Sequence, residues 1–168
     1  TGASTGPSCD GALAKANALS LRAPYQSDNT MRSKINSGEV PFIDMHLSHF
    51  PQYLEYGFLG GIDVAIIEAS SVSAEGYVYL STSGGCAPTF MRLAKKIIIE
   101  HNKFHTPRLR EMHDVAEVPR PPSRRALGIE QPLDKIGTPF CLVDPKKIVG
   151  IVETNLPDEA GEFRGNDE

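Results

Sequence analysis

No apolar stretch in these 168 residues approaches the ~20 needed to span a bilayer. No basic run exists along which a phosphate backbone could lie. Lys and Arg number 17 against 21 Asp and Glu, a net charge of −4, so neither nucleic acid nor a membrane is expected as a partner. Cys9, Cys86 and Cys141 are odd in number, widely spaced and in no C-x-x-C pair. That argues against a disulfide framework and a zinc knot, and for reduced thiols in a cytoplasmic protein. Nucleotide fingerprints are missing too. There is no G-x-x-x-x-G-K-[ST], and no G-x-G-x-x-G between a strand and a helix. Internal repeats, an initiating Met and a signal peptide are likewise absent. The expectation is a piece cut from a longer chain.

What is present suits one soluble domain over 1–155, with 156–168 as a linker. The chain is 40% hydrophobic and 23% charged, enough to build a core at this size. Asp10 to Leu19 reads as a helix, and Asn29 to Asn36 as a second one capped by Asp28 and stopped by Ser37-Gly38. Pro41 to Leu47 reads as a strand. Ser48 should cap a helix through Pro51–Tyr56. Ile62 to Glu68 is an apolar, β-branched run that predicts a strand buried on both faces, and Lys96 to Glu100 repeats it. Between them come a turn at Glu75-Gly76, a short strand at Tyr77–Leu80, a small-residue loop and a helix at Thr89–Lys95. Asn102 to Thr138 is proline-rich and aperiodic, the signature of a functional segment or of an excursion over a partner. Strands resume at Pro139–Val143 and Lys147–Glu153. The alternation predicts an α/β fold with a largely parallel sheet flanked by helices.

Several groups of residues could carry chemistry. Gly2-Ala3-Ser4-Thr5-Gly6 fits the G-x-S-x-G turn of serine hydrolases, with Ser4 as nucleophile. The same glycine-rich turn could instead present backbone amides to an anion or a carbonyl oxygen. His46-x-x-His49 and His101-x-x-x-His105 have metal-ligand spacing only if each pair is helical, and no metal is expected. Glu68, Glu100 and Glu153 each end an apolar strand, where ligands gather in open α/β sheets. Cys86 in Gly84-Gly85-Cys86 is a candidate nucleophile without a supporting signature. A non-catalytic interaction module remains a third reading.

The string of motifs goes further. TGASTGPSCDGAL from Thr1, then Pro24–Ser27, Arg32–Gly38, Asp44–Ser48, Tyr56–Phe58, Ile62–Ala69, Ile98–Asn102, Pro121–Arg124, Ile136–Thr138 and finally DPKKIVGIVETNLPD from Asp144 stand in register. Together they resemble the acetyl-CoA hydrolase/transferase family of coenzyme A transferases, over Thr1 to about Asp158. The branch most resembled exchanges CoA among succinate, acetate and propionate.

The resemblance implies the amino-terminal CoA-transferase (NagB/RpiA-like) domain, with a carboxy-terminal domain of the same protein as its partner. It further implies a homodimer, acyl-CoA and short-chain carboxylates as substrates, and no tightly bound cofactor. A mitochondrial location is implied for a eukaryotic member. The family's nucleophile is a glutamate that passes through a glutamyl–CoA thioester. None of Glu68, Glu100 or Glu153 matches its motif, so no catalytic residue is expected in this chain. Gly2, Ala3 and Ser4 are expected near the acyl group, and Gly84, Gly85 and Cys86 form a second candidate substrate-binding turn. Two positions depart from the family pattern: Glu111 where many relatives have glycine, and Ala126-Leu127-Gly128 in place of a proline-containing stretch.

Overall fold

A computed structural model describes residues 6–159, which fall into two compact units. One comprises 6–47 with 157–159, the other Ser48–Leu156. Helix α1 (Pro7–Lys15) starts and ends earlier than expected. Pro7 stands in the first turn, where its missing N–H costs nothing. Just beyond the helix Asn17 takes a left-handed φ of 53° and accepts a hydrogen bond from Lys34 Nζ at 2.5 Å. Helix α2 (Asn29–Asn36) matches the expectation. Asp28 Oδ1 accepts from the Met31 amide at 2.8 Å, and Gly38 closes the turn with φ 80°.

The unit's interior holds an ion pair. Arg22 and Asp10 side chains are both fully buried, and the guanidinium meets both carboxylate oxygens at 2.9 Å. Arg22 Nε also donates to the Tyr25 carbonyl at 2.7 Å. Burial pulls the Arg22 pKa below its ordinary value, against the opposing pull of Asp10 and Cys9. The strand expected at Pro41–Leu47 does not form. Only Phe42 bridges, to Arg22, through bonds from Arg22 N to Pro41 O and from Ile43 N to Arg22 O. Pro24 and Pro41 remove the donors that would extend the ladder.

The second unit is built on a sheet of order β4-β2-β1-β3-β5. The strands are β1 (Val64–Val72), β2 (Tyr77–Leu80), β3 (Lys96–Asn102), β4 (Cys141–Leu142) and β5 (Ile148–Thr154). β1, β3 and β5 are parallel neighbours, while β2 runs antiparallel to both β1 and β4. Four strands therefore share one direction, as the α/β reading expects. At the tip of the β1–β2 hairpin Gly76 has φ 89°, and a Cβ there would stand 2.0 Å from the Val143 carbonyl oxygen. A bulge at Ser70 is filled by its own hydroxyl, within reach of the Tyr79 and Leu80 carbonyls at 3.2 and 2.9 Å.

Helices α3 (Phe50–Glu55) and α4 (Ala87–Leu93) complete the unit. Ser48 does not cap α3: it sits inside a 3-10 turn, Leu47–His49, and His49 holds the cap position without capping the helix through its side chain. α4 begins before Thr89 because Pro88 is tolerated in its first turn. Ala65, Ile67 and Ala69 of β1, Val78 and Leu80 of β2, and Ile97 and Ile99 of β3 form the core with Met91 and Ala94. Phe50 of α3 meets Phe90 of α4 edge-on at 5.8 Å. The other face corrects the sequence reading. Val64 is 47% and Ile66 71% exposed, so β1 is buried on one face only. The period-2 pattern eBeBiB at its start records this directly.

Between β3 and β4 the chain makes its long excursion. A 3-10 turn at Pro107–Glu111 and a bridge between Val115 and Thr138 are its only regular features among the described residues. Asp114 closes the neck, accepting from the Ile136 and Gly137 amides at 3.1 and 2.7 Å. A Cβ on Gly137 would lie 2.1 Å from the Val115 carbonyl oxygen, so the neck requires glycine there. Among the described residues no helix is long and apolar enough to cross a membrane.

Candidate functional site

Parallel pairing sets β1 and β3 side by side with Glu68 in register with Glu100, but β1 runs on to Val72 and β3 to Asn102, so neither acid ends its strand as the sequence reading expects. Because Leu80 pairs with Ala69, Ser81 emerges beside Glu68, and its Oγ donates to Glu68 Oε2 at 2.7 Å. Asn102 ends β3 on the face that Glu100 shares. Its Nδ2 donates to Glu68 Oε1 and to the Leu156 carbonyl, both at 2.8 Å. Its Oδ1 accepts from the Phe104 and Leu156 amides, both at 3.1 Å. His105 Nε2 stands 3.2 Å from Glu68 Oε1. Burial is the largest single influence on Glu68 and pushes its pKa up. Hydrogen bonds from Asn102, Ser81 and His105, with the attraction of His105, outweigh it and hold the carboxyl below its ordinary value. Glu68 is thus a fixed carboxylate anchor.

The other two acids are tied more loosely. Thr154 Oγ1 donates to Glu100 Oε1 at 3.0 Å. Glu153 meets Lys103 Nζ at 2.7 Å in solvent. A place at the close of an apolar run was the signal for all three, and only Glu68 sits in a network. Sequence reasoning missed Asn102 and Ser81. The signals existed: Asn102 follows Glu100 at strand spacing, and hairpin register sets Ser81 opposite Glu68.

Gly84, Gly85 and Cys86 form the turn into α4. The Gly84 carbonyl accepts from Ala87 N and the Cys86 carbonyl from Phe90 N, both at 3.0 Å, while Gly85 takes φ 46°. A Cβ on Gly84 would make only ordinary contact, 3.4 Å, with Leu80. Burial pushes the Cys86 thiol up against a smaller opposing effect of Arg120, which keeps it from being an activated nucleophile at neutral pH. Cys141 is pushed up further, to about 11, by burial and then by Glu117. Neither histidine pair has helical geometry. Leu47–His49 is a 3-10 turn, and His101 lies on β3 with His105 in the turn beyond it.

Gly2, Ala3 and Ser4 lie outside the described residues. Directly after them, Gly6 precedes α1, and the Ser8 amide donates to the Glu159 carboxylate at 3.0 Å. A Cβ on Gly6 would stand 2.3 Å from that same Glu159 oxygen. The missing side chain thus leaves room for a carboxylate at the helix start.

The sequence matches the profile of the acetyl-CoA hydrolase/transferase N-terminal domain over residues 1–153. The chain belongs to this family. Among its relatives is a propanoyl-CoA:succinate CoA transferase of Escherichia coli (strain K12), 49% identical over 94% of this chain and 32% of that protein. A succinyl-CoA:acetate CoA-transferase of Clostridium kluyveri is 40% identical over 95% of the chain and 30% of its own length. An acetyl-CoA hydrolase of Schizosaccharomyces pombe is 41% identical over 94% and 31%. The chain therefore spans about a third of the relatives it matches. A crystal structure of 4-hydroxybutyrate CoA-transferase from Porphyromonas gingivalis superposes with a TM-score of 0.52 at 18% identity, over 94% of this chain and 34% of that one. At that identity it speaks for the fold alone.

Proposed function

We propose that the full-length protein moves coenzyme A between short-chain carboxylates such as acetate, succinate and propionate. Residues 1–155 would form its amino-terminal domain, with 156–168 leading to a carboxy-terminal one. The observation carrying this reading is the family match along 1–153, joined by relatives named as CoA-transferases and acetyl-CoA hydrolases. The reaction follows the family resemblance. A glutamate carboxylate outside this chain attacks the acyl-CoA carbonyl, and the CoA thiolate leaves, giving an acyl–glutamyl anhydride. The thiolate then attacks the glutamyl carbonyl and expels the acyl group as a carboxylate. An acceptor carboxylate reverses both steps on the resulting glutamyl–CoA thioester, or water hydrolyses it.

In this reading the chain supplies the wall facing the nucleophile. Gly2, Ala3 and Ser4 would bring backbone amides to the acyl or carboxylate oxygens. The Glu159 carboxylate seated on the Ser8 amide supports the idea that the start of α1 accepts such a group. Gly84, Gly85 and Cys86 would border the acyl group from the second turn. The whole assembly would act as a homodimer, in the cytoplasm or a mitochondrial matrix. The test is exchange of labelled acetate into succinyl-CoA. The full-length protein should catalyse it and be trapped by borohydride reduction of its glutamyl thioester, while the 168-residue chain alone should give neither. Labelled exchange by the 168 residues alone would contradict the assignment.

A further inference from the structure

Helix α1 is capped by Gly6, which has no side chain to accept from the first amides. The acceptor comes instead from a distant part of the chain. Glu159 Oε2 takes the Ser8 amide at 3.0 Å, and the contact lies wholly within the first unit. A Cβ on Gly6 would meet Oε2, Cδ and Cβ of Glu159 at 2.3, 3.3 and 3.5 Å. The Glu159 side chain therefore lies lengthwise against the glycine, in the space a side chain there would fill. The first turn also carries a buried acid, Asp10, whose charge would repel a second anion. Arg22 meets both of its carboxylate oxygens and cancels that charge. The start of α1 thus keeps the positive end of the helix dipole available to a carboxylate.

We infer that Glu159 is a carboxylate stand-in carried by the chain itself: it holds the start of α1 against a carboxylate substrate and gives way when that substrate binds. The inference rests on the proposed function, which sets Gly2, Ala3 and Ser4, directly before this turn, at the acyl group. The Clostridium kluyveri relative is named for transfer to acetate, a carboxylate of the same chemistry as the end of the Glu159 side chain. Ser8 and Glu159 are both exposed, so a free carboxylate reaches the same amide without unfolding the helix. The hold is light, because a charge at a helix start is worth about two- to fivefold in an equilibrium. A tethered group acts at an effective concentration on the order of millimolar. Acetate at that level displaces Glu159, while far lower concentrations leave the position self-occupied.

Removing the charge while keeping the shape tests this. In the full-length protein Glu159→Gln should lower the KM for acetate about two- to fivefold in exchange with succinyl-CoA. An unchanged or raised KM would overturn the inference. So would a lower thermal midpoint as the variant's sole effect, which marks a plain helix cap. A second arm reads no activity. In full-length protein carrying nitrogen-15 serine, added acetate should shift the Ser8 amide resonance. Its midpoint should lie about two- to fivefold lower in Glu159→Gln than in wild type. Equal midpoints, or a Ser8 signal indifferent to acetate in both proteins, would overturn the inference. A full-length protein that exchanges no CoA would end the functional reading, and the Ser8 titration would still decide whether Glu159 competes with carboxylates for α1.

Discussion

Asp10 and Arg22 are the most demanding pair of residues in the chain. Both side chains are fully buried, and each neutralises a charge sealed from solvent. Removing one partner strands the other, which costs about 3–5 kcal/mol in comparable buried pairs. Asp10→Asn should therefore destabilise the chain by about that amount in urea unfolding, more than any single surface substitution. Glu68 makes a subtler prediction. Its folded pKa lies below the ordinary 4.5, so the folded state favours the carboxylate over its protonated form. That stability is complete above about 4.5 and is lost as the pH falls through the lower folded value. Glu68→Gln should thus be less stable than wild type at pH 7. The gap should narrow as the pH falls below 4.5, as urea midpoints measured from pH 7 to pH 3 would reveal. A gap constant over that range would mean the carboxylate gains nothing from Ser81, Asn102 and His105.

At the scale of elements, two ties help hold the excursion after β3, beside the His113–Leu80 contact and the Arg92–Glu117 pair. One is the neck at Asp114, and the other is the Glu55 carboxylate at the end of α3. Arg120 grips Glu55 with Nε and with Nη2, the latter at 2.7 Å, and Arg92 reaches the same carboxylate. Those bonds, Arg120's foremost, hold Glu55 below the ordinary carboxylate range despite its burial. Residues 121–138 beyond this grip are exposed throughout. Trypsin should cut first after Arg124 or Arg125, since Arg120 is shielded both by Glu55 and by the following Pro121. Mass spectrometry should then show two pieces that co-elute in size exclusion, because β4 and β5 remain paired within the sheet. Glu55→Gln should speed that first cut by loosening the segment. Resistance to trypsin at Arg124 and Arg125 would mean the excursion is covered.

At the scale of the whole molecule, the sequence carried the sheet but not its surroundings. Ile62–Glu68 and Lys96–Glu100 announced β1 and β3 because β-branched runs of that length have few other uses. The same runs could not say that one face is bare, since an apolar residue reads alike whether its cover lies inside or outside the chain. Pro41–Leu47 failed as a strand for a similar reason: its composition permits a strand, but the available partner is the single residue Arg22, with Pro24 two residues on. Of the candidate site, the acids that close the apolar runs were legible one by one, although β1 and β3 continue past Glu68 and Glu100. Their sorting was not, because Glu68 differs from Glu100 and Glu153 only through Ser81, Asn102 and His105, whose approach is a property of register.

The neck at Asp114 and Gly137 has a consequence for how such a chain can change over time. Because Val115 and Thr138 are bridged, the segment between them closes on itself before the chain reaches β5. Lengthening that segment adds only loop-closure entropy, about 0.6 kcal/mol for each doubling. It leaves the β3–β5 register and the Asn102–Leu156 clamp untouched. Insertions and deletions there are nearly neutral for folding, so descendants of one ancestral sheet can diverge in this segment while the strands beneath stay fixed.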